Sequence, residues 1–257
     1  MKILILGAGK MGSFFTDLLS FEHEVAVLES NPQRMRFIYN ALRMQKPEEV
    51  SGFSPDLVVN CVTLHQTIAA FQAVMPYLPP KCIISDIASV KTNLQEFYAS
   101  CGFPFVSSHP MFGPTFANLG SLERENTILI TESDHLGKVF FKDLYLRLRL
   151  NIFEYSFEEH DKVVAYSLGI PFASTLIFAA TMKHQDAPGT TFKRHMKTAR
   201  GLLSEDDYLL TEILFNPRTP KQITHIQEEL SKLQQIIENK DSNAMKEYLS
   251  KIRKNIE

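Results

Sequence analysis

Met1-Lys2-Ile3-Leu4-Ile5-Leu6-Gly7-Ala8-Gly9-Lys10-Met11-Gly12 opens the chain with an apolar run followed by three glycines in G-x-G-x-x-G spacing. The run reads as a strand, and the glycines as a tight turn and a helix start. Gly7 permits the turn, Gly9 lets the backbone approach a pyrophosphate, and Gly12 allows close helix-to-strand packing, with the phosphates at the helix N-terminus. Gly7, Gly9, Met11 and Gly12 are therefore candidate cofactor-binding residues. A glycine turn alone is weak evidence, so its context matters. A second apolar run, 25–28, ends at Glu29, which lies 22 residues after Gly7. An acid at the tip of the second strand is placed for the ribose hydroxyls of NAD. Its charge disfavours the extra phosphate of NADP, although Arg34 nearby carries the opposite sign.

The 257 residues suffice for one large domain or two ordinary ones. A net charge of -2 argues against a dedicated nucleic-acid binder. Cys61, Cys82 and Cys101 make an odd count without C-x-x-C spacing, which suggests reduced thiols and a cytoplasmic location. No secretory signal is read at the N-terminus, where glycine and Lys10 interrupt the apolar run. Residues 163–182 have membrane length but include Tyr166, Ser167, Gly169, Pro171, Ser174, Thr175 and Thr181. A helix buried in protein is the expectation there, with no membrane. The histidines lack metal-ligand spacing, so no metal is expected.

Outward from the glycine turn, apolar runs alternate with helical stretches, the pattern of a parallel sheet covered on both faces. A helix from Asn31-Pro32 is expected to carry Met35, Ile38, Tyr39 and Leu42. Strands follow at 57–61, leading to Thr63 at the sheet's C-terminal edge, and at 83–86, then a helix from Val90. Strands at 127–131 and 152–155 flank a helix at 136–148. Beyond Tyr155 strand signals stop. A helix at 158–182 should break near Gly169-Ile170-Pro171. The run 204–207 should start a further helix with a capping hydroxyl and carboxylates. Two closing helices carry apolar stripes suited to the helical core or to a second subunit. The plan is a Rossmann-type α/β dinucleotide-binding domain, 1–157, followed by an all-α domain, 158–257, for substrate binding and dimerisation.

Asp86-Ile87-Ala88-Ser89-Val90-Lys91 and Ser107-Ser108-His109-Pro110-Met111-Phe112-Gly113-Pro114 sit at the ends of middle strands, where ligands of open α/β sheets bind. His109, between a strand and a rigid segment, is a candidate for proton exchange near neutral pH. With GAGKMG at 7–12, DIASVK at 86–91, SSHPMFGP at 107–114 and EEHD at 158–161, nearly the whole chain resembles the prephenate and arogenate dehydrogenases of tyrosine biosynthesis.

The resemblance implies oxidative decarboxylation of prephenate by NAD to 4-hydroxyphenylpyruvate, or of arogenate to tyrosine. It implies that His109 accepts the ring hydroxyl proton as hydride leaves the same carbon, and that Ser89 orients His109 and the hydroxyl. His160 and Asp161 match a histidine and an aspartate whose conventional role is hydrogen bonding at the helix start. A dicarboxylate substrate calls for cations, and 183–200 supplies Lys183, Lys193, Arg194, Lys197 and Arg200. The family's carboxylate-clamping arginine falls at Gly201, so Arg200 is favoured and Arg194 is the alternative. Gly169 stands where many relatives have a substrate-facing histidine, which leaves prephenate against arogenate open. A 3-hydroxy-acid dehydrogenase using Lys183 or Lys193, and a silent NAD sensor, are the competing readings. A homodimer is expected.

Overall fold

The computed structural model describes residues 1–91, 93–112 and 122–256, so Gly113 and Pro114 of the 107–114 motif lie outside the described residues. The first strands are β1 (Lys2–Leu6), β2 (Glu24–Leu28), β3 (Leu42–Met44) and β4 (Leu57–Asn60). They are followed by β5 (Ile83–Asp86), β6 (Phe105–Pro110), β7 (Asn126–Ile130) and β8 (Asn151–Tyr155). Among the described residues they form one sheet in the order β3-β2-β1-β4-β5-β6-β7-β8. β1 to β6 pair in parallel, β7 runs antiparallel to β6, and β8 is parallel to β7. The order 3-2-1-4-5-6 is that of the Rossmann fold, whose ligand crevice lies at the strands' C-terminal ends.

Alternation along the strands explains why the central runs are continuously apolar. Ile3, Ile5, Val25, Val27, Leu57 and Val59 point into one buried cluster, and Leu4, Leu6, Ala26 and Val58 into another. The first cluster is closed by Phe15 and Leu19 of α1 (Lys10–Leu19) and by Phe141, Leu144 and Tyr145 of α6 (His135–Arg147). The second is closed by α3 (Val50–Phe53), α4 (Thr67–Val74) and α5 (Leu94–Ser100).

Three expectations are corrected. The helix opened by Asn31 is only α2 (Pro32–Met35): the Asn31 side chain caps it, but Tyr39 and Leu42 are exposed and Leu42–Met44 joins the sheet as β3. The helix expected from Val90 begins at Leu94, after Asn93 in a left-handed conformation, because Lys91 turns inward. The cap of α10 (Asp207–Leu214) is the Asp206 carboxylate, accepting from Tyr208 N and Leu209 N, rather than the Ser204 hydroxyl.

The chain divides into two compact units, Met1–Asp161 and Lys162–Glu257. In the second, α8 (Gly169–Thr181), α9 (Thr190–Leu202) and α10 gather around Ala173, Ala199, Leu202, Leu210 and Ile213. α7 (Phe157–Ser167) ends where α8 begins, so the expected break falls at Leu168. Residues Phe157–Thr181 are long and apolar enough to cross a membrane by length and composition, and only 22% of their most apolar window is buried within the chain. Burial of this stretch is thus incomplete, and Tyr166 and Ile177 are largely exposed. The closing helices α11 (Thr219–Glu238) and α12 (Ser242–Lys254) likewise leave Leu230 and Ile237 exposed.

Candidate active site

The glycine turn meets the steric demands read from its spacing. Gly7 has φ +90°, a conformation that L side chains rarely adopt. A Cβ on Gly12 would lie 1.9 Å from the carbonyl oxygen of Gly7, so only glycine lets α1 approach β1 this closely. At Gly9 a Cβ would meet nothing within 4 Å, and no side chain caps α1 there. The first turn of α1 therefore faces open space, as a pyrophosphate site requires.

A cleft of about 590 Å³ opens over Gly7 and Gly9, lined also by Glu29, Arg34, Thr63 and Gln66. Met11, in the first turn of α1, packs half-buried against the core. Gly12→Ala is expected to lower stability by about 1–3 kcal/mol or more, because backbone rather than side chain must yield. Gly9→Ala should leave the melting temperature in place while weakening dinucleotide binding. Thermal melts with and without dinucleotide separate the two, and unchanged affinity in Gly9→Ala would contradict the assignment of this turn.

Glu29 is buried at the cleft wall. Its Oε2 accepts from Ala8 N at 3.0 Å and its Oε1 from Asn31 N at 2.8 Å, with Arg34 Nη1 3.8 Å away. Burial pushes this carboxyl up, but the two N–H groups, Arg34 and the Ser30 hydroxyl more than offset it and hold it below the ordinary value. Glu29 thus carries charge at neutral pH and ties the glycine turn to the second strand.

At the C-terminal end of β6, His109 is buried, and its Nδ1 lies 3.0 Å from Nε2 of His160, which is wholly buried. His160 is delivered by the first turns of α7. Ser156 and Glu159 start that helix as a capping box: Glu159 N donates to Ser156 Oγ at 3.2 Å, and Ser156 N to Glu159 Oε2 at 2.8 Å. Burial, then the neighbouring His160 ring and the Lys91 cation, hold His109 well below the ordinary imidazole value. Burial, with Lys91 beside it, takes His160 down to about 3. Both rings are neutral near pH 7.

Beneath the pair lies a buried ion pair. Lys91 Nζ donates to Asp86 Oδ1 at 2.6 Å and to the carbonyl of Ser108 at 2.7 Å. Asp86 also accepts from Ala88 N at 3.0 Å and from Tyr98 OH at 2.7 Å. Ser108 Oγ and Tyr145 OH are 2.9 Å apart. The charges are therefore fully partnered, and they pin the backbone immediately before His109. The sequence motif 86–91 contains Asp86 and Lys91, but nothing in their spacing marks them as a buried pair.

Ser89 is half-buried in the loop after β5 and makes no hydrogen bond to another described residue; the side chain that holds His109 is His160. Thr63 is exposed at the end of β4, on the rim of the cleft. In the second unit, Phe192 and His195 of α9 pack on Phe178 of α8, while Ala199 and Leu202 are buried. By helical periodicity Lys193, Arg194, Lys197 and Arg200 fall on the opposite, exposed face. None of the four has an ion-pair partner among the described residues, and α9 contains no carboxylate.

Residues 30–147 match a family model described as the nucleotide-binding domain of prephenate dehydrogenase, a span that begins just after Glu29. The probable arogenate/prephenate dehydrogenase of Methanocaldococcus jannaschii is 23% identical over 201 residues, covering 72% of this chain and 44% of that protein. The T-protein of Enterobacter agglomerans is 24% identical over 188 residues, covering 72% of this chain and 46% of that protein. The chain thus spans about half the length of the curated relatives it matches. The crystal structure of prephenate dehydrogenase from A. aeolicus, in complex with hydroxyphenyl propionate and NAD+, superposes with a TM-score of 0.82 at 21% identity, covering 100% of this chain and 98% of that one. Synechocystis arogenate dehydrogenase gives a TM-score of 0.78 at 20% identity, with 99% and 98% covered. The family model covers less than half of the chain, and these two solved structures, each under 25% identical to it, show that it shares their fold.

Proposed function

We propose that the chain is an NAD-dependent dehydrogenase converting prephenate to 4-hydroxyphenylpyruvate and carbon dioxide. The observation that carries this reading is His109, a histidine buried at the C-terminal end of a strand of a Rossmann sheet. Gly7, Gly9, Met11 and Gly12 would hold the phosphates of NAD, with Glu29 at a ribose and Thr63 on the rim. NAD, when bound, supplies the acceptor for the hydride leaving the ring carbon that bears the hydroxyl. His109 Nε2 takes that hydroxyl's proton, so the C–O bond can become a carbonyl as hydride departs. The bond to the ring carboxylate then breaks, its electron pair enters the ring, and the aromatic product forms as the oxygen regains a proton. Ser89 would orient the hydroxyl. Arg200, with Arg194 as the alternative, would clamp a substrate carboxylate in bidentate fashion.

The cationic face of α9 favours prephenate over arogenate. A pyruvyl group carries only negative charge and suits a helix with four cations and no acid better than the ammonium of arogenate does. Incubation with NAD and either substrate, following NADH absorbance, tests the reading. Prephenate turnover is expected; preference for arogenate would transfer the assignment, and turnover of neither would reject it. The exposed apolar residues of the second unit, Tyr166, Ile177, Leu230 and Ile237 among them, support a homodimer, and sedimentation at twice the chain mass is the expected result. Cytoplasmic location accords with the unpaired thiols.

A further inference from the structure

We infer that Asp161 and His160 form a two-step hydrogen-bond chain that sets the tautomer of His109 and leaves its Nε2 as the bare, basic nitrogen. The inference deepens the proposed function, resting on His109 as the base of that reaction. Asp161 Oδ1 lies 3.3 Å from Nδ1 of His160. An ionised carboxylate only accepts, so that nitrogen carries the hydrogen. A neutral imidazole has one N–H, which leaves His160 Nε2 as an acceptor. Its neighbour at 3.0 Å is His109 Nδ1, which must then be the donor. The single hydrogen of neutral His109 is thereby accounted for, and Nε2 keeps its lone pair; it makes no hydrogen bond to another described residue.

The surrounding charges favour the same state. Lys91 faces both rings and disfavours a proton on either, while Asp86 is occupied by Lys91 and Tyr98. Asp161 is in direct contact with the far side of His160. When Nε2 accepts a proton, the positive charge that develops on His109 already has its Nδ1–H aimed at an acceptor backed by a carboxylate. His160 and Asp161 are thus positioning residues, acting through His109.

Long-range proton–nitrogen correlation spectra of histidine-¹⁵N-labelled protein read the tautomer directly, whether or not any substrate is turned over. His109, assigned by its loss in His109→Asn, is expected with Nδ1 protonated and Nε2 bare. His160→Leu should lose this preference and lower kcat by roughly tenfold or more, by analogy with other groups that orient a site through a neighbour. His160→Gln places an amide oxygen where Nε2 stood and should rescue the tautomer. Should His160→Leu fail to fold, Asp161→Asn is the second variant. Its amide can donate as well as accept, so a second set of His109 signals is expected. A protonated Nε2 in the unmodified chain, or an unchanged tautomer in these variants, would overturn the inference. The expected tautomer without turnover of prephenate or arogenate would instead count against the proposed reaction alone.

Discussion

His109→Asn is expected to reduce turnover about 10²- to 10⁴-fold, the usual worth of a general base, with dinucleotide affinity unchanged. Asparagine retains an N–H to offer His160 but has no nitrogen lone pair for the substrate proton. The pH profile sharpens the expectation. As the base of the proposed reaction His109 would work only when unprotonated, and burial, the His160 ring and Lys91 hold it well below the ordinary imidazole value. The rate of the unmodified chain should therefore stay level as pH falls through about 6.5, where an ordinary histidine would be half protonated. An acid limb at or above that pH would contradict the buried, neutral state. An unchanged rate in His109→Asn would remove the residue from the mechanism.

Lys91→Met is expected to cost about 3–5 kcal/mol, because it strands the Asp86 carboxylate, which is inaccessible to solvent. At about 2–4 °C per kcal/mol for a domain of this size, the melting temperature should fall by roughly 6–20 °C. The loss arises chiefly from the carboxylate left behind rather than from the attraction removed. The same variant frees the Ser108 carbonyl and removes a cation facing His109. The acid limb of any surviving activity should accordingly move toward higher pH. Thermal and urea denaturation measure the first effect, and a change under about 1 kcal/mol would mean that water or another side chain partners Asp86 in place of Lys91.

What the sequence disclosed was local. The glycine spacing, Glu29 at the tip of β2 and the continuous apolar runs each report on neighbours within one strand-turn-helix unit, and the fold follows from them. β3 escaped because Leu42-Arg43-Met44 is a short edge strand with two exposed residues and no alternation to read. The start of α5 was misplaced because Lys91, a residue expected at the surface, turns into the core. At 204–207 a serine and three acids compete for one cap, and only geometry selects Asp206. Of the candidate site, His109 was legible from its motif, whereas its partner His160 lies 51 residues away and is brought to it by tertiary packing. Residues 163–182 read as a buried helix because composition records apolarity but not what covers it.

Ionic strength acts on this chain through the four cations of α9, which have no ion-pair partner among the described residues. Lys193, Arg194, Lys197 and Arg200 share one solvent-facing side of a thirteen-residue helix, so their potentials add where a small anion arrives. Such a field steers encounter, and it fades over about 8 Å in physiological salt and over longer distances in dilute buffer. Ionic strength should therefore act on capture of a dianion more than on the proton transfer proposed at His109, which is buried from the electrolyte. A Michaelis constant for such a substrate belongs to the salt in which it was measured.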